Sequence, residues 1–204
     1  MHIPLFPLGN PLFPDGVMHL QIFEVRYLDM IKKSIANETP FGVVPLLSGR
    51  EVRTPESGEV LASAGTLARI DEWAAPMAGL MQLRCSGTQR FRLTSTEQGK
   101  FGLWMGEAEL IEAEEIITTL PGSLMPTVNA LGKLIADMQH RGVPVSQMPI
   151  GTPYRLDEAG WVANRWCELL PLPVPESQAM LLEPDPLVRL QQVQDFMNER
   201  GLLS

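Results

Sequence analysis

Proline recurs where an apolar strand would otherwise form: Pro4-Leu5-Phe6-Pro7-Leu8 is echoed seven residues on by Pro11-Leu12-Phe13-Pro14. Proline has no backbone N–H to give a sheet ladder, so this stretch reads as an edge strand interrupted by turns. Asp15-Gly16 supplies the turn. Val17 to Phe23 is then a strand. From Glu24 to Ala36 the spacing becomes helical, with Leu28, Ile31 and Ile35 on one stripe. A carboxylate at Glu24 suits the positive end of that helix.

Short β-like runs separated by turn residues follow: Phe41 to Leu47, Leu61 to Trp73, Leu80 to Cys85, Arg90 to Thr96 and Leu103 to Ile111. That rhythm predicts a barrel or sandwich. Ser48 to Gly58 is polar, contains Gly49, Pro55 and Gly58, and reads as a long exposed hairpin loop. After Glu112-Ala113-Glu114-Glu115 the β pattern ends, and Pro121-Gly122 precedes a helical stripe of Leu124, Val128, Leu131, Ile135 and Met138. Arg141 to Pro153 holds too many breakers to be helical. Ala159, Val162, Ala163, Trp166 and Leu170 define another apolar face, and Pro171-Leu172-Pro173-Val174-Pro175 stops that helix. A short helix around Glu176 to Leu182 is expected next. The last, Leu187 to Asn198, is framed by Asp185-Pro186 before it and Gly201 after it.

The opening order of elements resembles the start of the Lon N-terminal domain family, the substrate-binding domain of ATP-dependent Lon proteases, which also occurs as stand-alone bacterial proteins. Its sharpest polar cluster is Glu24, Arg26 and Tyr27. A second block, Gly65-Thr66-Leu67-Ala68-Arg69-Ile70, then Gly79, then Gly87-x-x-Arg90-Phe91-Arg92-Leu93, is similar to that family's middle hairpin. Leu172-Pro173, Leu181-Leu182-Glu183 and Asp185-Pro186-Leu187-Val188-Arg189-Leu190 resemble its closing helices. The resemblance implies an α+β fold: a mainly β, PUA-like pseudo-barrel over residues 1–118 followed by a packed α-helical subdomain over 119–204. It also implies a non-catalytic module that recognises polypeptide, unfolded or flexible, either as an adaptor or as a binder.

Chemistry at the residue level points the same way. No Gly-x-x-x-x-Gly-Lys-Ser/Thr run is present to cradle nucleotide phosphates, and Gly-x-Ser-x-Gly is absent. The Ser-Lys dyad of Lon proteolysis belongs to a separate C-terminal domain of that family. His2, His19 and His140 lack metal-ligand spacing, so no metal or cofactor is expected. A net charge of −8 opposes non-specific attachment to nucleic acid, leaving Lys32-Lys33 and Arg84, Arg90 and Arg92 as the candidates for a basic patch. The N-terminus has no cationic region before its apolar residues, and no apolar run approaches the roughly 20 residues that span a bilayer, so a cytoplasmic location is expected. Cys85 and Cys167 read as isolated thiols.

Glu24, Arg26 and Tyr27 admit two readings. In the structural one Glu24 caps the helix or pairs with an arginine of the middle hairpin, Arg26 anchors a carbonyl or carboxylate, and Tyr27 packs on the barrel. In the functional one they rim a peptide groove. The structural reading is preferred, because side chains at the first turn of a docking helix are usually committed to holding it. The binding candidates are instead apolar. From Ala74 to Met81 there is no charge, in a hairpin tip where solvent favours polar residues. Trp73, Met77 and Leu80 are the expected contacts, with help from a first-strand edge near Phe6 and Phe13. An RNA-binding barrel and a small-molecule enzyme are the alternatives. The purified chain is expected to hydrolyse no ATP and to cleave no casein; turnover above a heat-killed control would contradict this reading.

Overall fold

The computed structural model describes residues 1–49 and 58–203. The expected exposed loop, Ser48 to Gly58, lies for the most part outside the described residues. Within them the chain forms two compact units, Met1–Glu112 with Pro173–Leu182, and Ala113–Leu172 with Glu183–Ser204.

The first unit is the β pseudo-barrel. Its strands are β1 (His2–Leu8), β2 (Val17–Ile22), β3 (Phe41–Ser48), β4 (Val60–Leu61), β5 (Ala64–Met77), β6 (Leu80–Gln98) and β7 (Trp104–Leu110), with helix α1 (Val25–Asn37) between β2 and β3. Hydrogen-bonded order runs β1-β7-β6-β5-β3-β4, and a parallel β1–β3 pairing closes the ring. Among the described residues β2 pairs with β6 alone.

β1 is therefore not the edge strand its prolines predict. It runs antiparallel to β7 from His2 to Leu5 and parallel to β3 from Leu5 to Leu8, so Leu5 is the residue paired on both sides. In each half one edge is unpaired, so a proline there need not cost a ladder bond, and Pro4 and Pro7 fall one in each half. Successive side chains of β1 also enter different cores. Leu5 joins Ile3, Val44, Leu67 and Phe91, whereas Phe6 joins Ile22, Tyr27, Ile31, Phe41 and Val43. A strand buried on both faces reads as continuous hydrophobicity rather than alternation.

The two runs expected at Leu80 to Cys85 and Arg90 to Thr96 are one strand, β6, which continues through Gly87. Gly87 is there for clearance. A Cβ at this position would overlap the Phe13 carbonyl oxygen, while the Gly87 N–H donates to Gly16 O (2.8 Å) and its carbonyl accepts from Asp15 N (2.9 Å). The doubled proline segment thus docks backbone to backbone on β6, and Phe13 is fully buried by it. Thr66 clamps the same segment, its hydroxyl donating to Leu12 O at 2.6 Å. Gly65 likewise has no room for a Cβ against the Val43 carbonyl. Buried Arg90 reaches helix α4 (Val174–Leu182), donating to Leu181 O at 2.8 Å.

The second unit holds α2 (Met125–His140), α3 (Ala159–Leu169) and α5 (Pro186–Glu199). Asp185 caps α5, its Oδ1 accepting from Leu187 N (2.8 Å) and Val188 N (3.4 Å), with Pro186 at the first turn. Fully buried Arg189 donates to Asn164 Oδ1 (2.8 Å) and the Glu114 carboxylate (2.7 Å), tying α5 to α3 and to the segment that enters the unit. No helix among the described residues is long and apolar enough to cross a membrane.

Replacing Gly87 with Ala forces backbone to move, so it is expected to cost at least the ~1–3 kcal/mol typical of overpacking. A denaturant midpoint equal to that of the parent would contradict the docking geometry.

Candidate functional site

The β5–β6 hairpin extends to Met77 and Leu80, which face each other across an Ala78-Gly79 turn whose glycine has φ +80°. A positive φ costs glycine nothing, which explains the residue at the tip. Across from the hairpin lies α1. Its residues Leu28, Lys32, Ile35 and Ala36, at helical spacing, form one wall of a groove of about 360 Å³; Trp73, Ala75, Met77 and Leu80 form the other, over a floor at Met81. Trp73 is 55% and Met77 64% exposed. Large apolar side chains at that exposure beside a concave surface mark a place where another apolar surface fits. Methionine, unbranched and polarizable, adapts to varied shapes there.

The structure therefore brings Trp73, Met77 and Leu80 together and adds a wall that the charge-free run alone does not reveal. Leu28 and Ile35 lie on the expected helical stripe, but only its centre is fully buried: Ile31 is wholly covered, while Leu28 and Ile35 flank it half-exposed. Phe6 and Phe13 are not part of this groove. Phe6 is 8% exposed and packs on Tyr27, ring centroids 4.3 Å apart, and Phe13 has no exposed surface. The expected first-strand edge contact therefore does not belong to this groove: β1 is flanked by β7 and β3, Phe13 is buried in the core, and Phe6, packed on Tyr27, also lines a separate cleft beside β2.

Glu24, Arg26 and Tyr27 sit where β2 turns into α1. The Glu24 carboxylate makes no cap bond and meets no hairpin arginine; it accepts from Arg26 Nε at 3.1 Å, which holds it away from the helix amides. The Glu24 backbone carbonyl starts the helix, accepting from Tyr27 N and Leu28 N. Arg26 is almost wholly buried and also donates to Gly102 O (3.1 Å) and Glu59 Oε1 (3.2 Å). Glu59, itself buried, takes the Trp104 indole N–H on its other oxygen. This pair, with the Arg26 guanidinium 4.5 Å from the Tyr27 ring centroid, pins the first turn of the helix that walls the groove. Sequence reading finds Arg26 but not Glu59, which is separated from it by 33 residues and carries no local pattern.

Catalytic equipment does not gather here. Among the described residues Lys32 is the single charged residue lining the groove, and no cluster of His, Cys, Asp and Glu can hold a metal. Burial pushes both thiols, Cys85 and Cys167, up to about 12, so neither is a nucleophile near neutral pH. Of the candidate basic patch, Arg84 pairs with Asp71 (3.1 Å), Lys33 pairs with Asp29 (2.7 Å) and Arg90 is interior, whereas Lys32 and Arg92 are exposed.

The family model for the substrate-binding domain of ATP-dependent protease La (Lon) matches residues 2–199. The chain belongs to that family. Among solved structures, a Lon N-terminal domain protein from Xanthomonas campestris is similar over 96% of this chain and 98% of its own, with a TM-score of 0.71 and 28% identity. The N-terminal domain of the Mycobacterium avium complex Lon protease is similar over 97% and 98%, with a TM-score of 0.59; at 14% identity that likeness concerns the fold. No curated protein matches the sequence.

Removing Glu59 leaves the buried Arg26 guanidinium with Glu24 as its one remaining carboxylate among the described residues and leaves the Trp104 indole N–H without its acceptor. Glu59→Ala is expected to lower stability by about 3 kcal/mol, measured by denaturant unfolding. A loss under about 0.5 kcal/mol, the size typical of a surface pair, would show that the pair does not pin α1.

Proposed function

We propose that this Lon substrate-binding family member is a non-catalytic polypeptide-recognition module, and that it holds apolar segments of unfolded or flexible polypeptide in the groove between α1 and the β5–β6 hairpin. The observation that carries this reading is the pairing of exposed Trp73 and Met77 with the flank of α1 around a groove lined, among the described residues, by a single charged residue. Apolar side chains leave water on entering it, and no polar geometry is imposed on them, so affinity follows apolar content more than sequence. The assignment as an adaptor, presenting bound chains to a protease, extends the same reading, as does a cytoplasmic site of action. The pairing of Arg84 with Asp71 and the burial of Arg90 leave Arg92 as the exposed member of that arginine group, which favours polypeptide over RNA, since RNA requires a continuous basic face with stacking aromatics.

The test is binding of a reduced, alkylated and unfolded model protein to the parent and to Met77→Asp. A carboxylate placed where contact must exclude water is expected to weaken binding by on the order of tenfold or more. Because Met77 is exposed, the melting temperature is expected to stay within about 2 °C of the parent. Equal binding by two equally stable proteins would remove the groove from the site.

A further inference from the structure

The outer edge of β2 is a second feature of the barrel unit, and the hairpin groove does not use it. β2 pairs with β6 without a register shift from Val17↔Ser86 to Ile22↔Met81, and among the described residues β6 is its only partner strand. Alternate residues of β2 therefore turn their N–H and C=O groups away from the ladder, and among the described residues no other backbone hydrogen bond reaches Val17 to Ile22. Exposed edges are ordinarily protected by lysine, proline, a bulge or a cover. Val17-Met18-His19-Leu20-Gln21-Ile22 has no Lys and no Pro, and its pairing has no bulge.

A cleft of about 220 Å³ lies against this edge, lined by the consecutive residues His19 to Glu24 with Phe6, Leu8 and Tyr27. Successive side chains of a strand point to opposite faces. Four consecutive residues of β2, His19 to Ile22, lining one cleft therefore mean that it runs along the strand's edge and not over one face. Phe6, Leu8 and Tyr27 give it apolar walls, and Phe23 at its end is 55% exposed. What fits a row of donors and acceptors at strand spacing, walled by apolar side chains, is another extended backbone.

We propose that β2 takes up a segment of bound polypeptide as an added strand. This rests on the polypeptide-binding reading above and deepens it: the edge reads backbone, which every unfolded chain presents, while the hairpin groove reads apolar side chains. The two are neighbours in the sheet: Ile22, which lines the cleft, pairs with Met81, which lines the groove. One extended chain passing from cleft to groove would use both.

Backbone reading has a signature that side-chain binding lacks, namely parity. In an added strand only every second residue points its N–H at β2. The probe is a ten-residue peptide of alternating Val and Lys, compared at physiological salt with two isomers, N-methylated at all Val or at all Lys residues; charge and side chains are the same in all three. One isomer is expected to lose on the order of tenfold or more in affinity, because several backbone hydrogen bonds go at once, and the other to bind within about threefold of the parent peptide. Amide hydrogen exchange should show alternate β2 amides gaining protection on binding. Equal affinities of both isomers, or protection confined to α1 and residues 73–81, would overturn strand addition and leave the groove reading standing. Failure of the parent peptide to bind would overturn strand addition; if the unfolded protein of the previous test still binds, the groove reading survives it. A concentration-dependent dimer with β2 amides already protected would overturn it in favour of a second copy as the edge's occupant.

Discussion

Leu5 is where the barrel closes. One side of β1 at this residue pairs with Trp104 of β7 and the other with Gly42 of β3, and without that double engagement the β1-β7-β6-β5-β3 order would be an open sheet. Closure removes edges, and it obliges β1 and β3 to be apolar on both faces, as the distribution of Leu5, Phe6, Val43 and Val44 between two cores shows. It also sets the place of everything attached to the ring. β5 and β6 run past the closed part as a hairpin, β2 is held, among the described residues, by β6 alone, and α1 packs its Tyr27, Met30 and Ile31 over one core. The groove is the space left between the overhanging hairpin and the flank of α1.

Much of this was legible in the sequence, for reasons that differ from element to element. Asp185-Pro186 announces a helix start because a short carboxylate side chain and a fixed φ satisfy the same unpaired amides in any context, and the structure shows both at work. Gly79 marks the hairpin because the tip requires a positive φ. The charge-free run from Ala74 to Met81 marks an exposed apolar tip because nothing local explains it otherwise. The failures share a cause. Pro4 and Pro7 imply an edge only if a strand keeps one partner along its length, and β1 changes partner at Leu5. Gly87 implies a break only if glycine is there for its dihedral freedom, whereas here it clears space for the Phe13 carbonyl. Glu59 was invisible because an ion pair between residues 26 and 59 is a property of the closed ring and leaves no local pattern.

The same contrast separates framework from function. The family's polar motif residues hold the scaffold: Arg26 is consumed by Glu24, Glu59 and Gly102, and Arg90 by the end of α4. Buried charges with several partners keep one geometry, and that geometry fixes where α1 stands. The proposed recognition surface has Lys32 as its one charge among the described residues, and it combines exposed Trp73 and Met77 with Leu28, Ile35 and Met81, which also pack on the barrel core. A binder of unfolded chains benefits from walls held in this way, because the ligand side chains vary while the wall positions do not.

The central claim, that unfolded polypeptide lies in the α1–hairpin groove, is tested most directly by photo-crosslinking. A benzophenone side chain in place of Met77 would report what touches the tip, and one in place of Val145, 72% exposed in the other unit, would report chance encounter. The account predicts that an unfolded, alkylated model protein is captured at position 77, that the yield falls with an unlabelled competitor, and that position 145 captures little. Equal, non-competable capture at both positions, or competable capture at 145 alone, would contradict it.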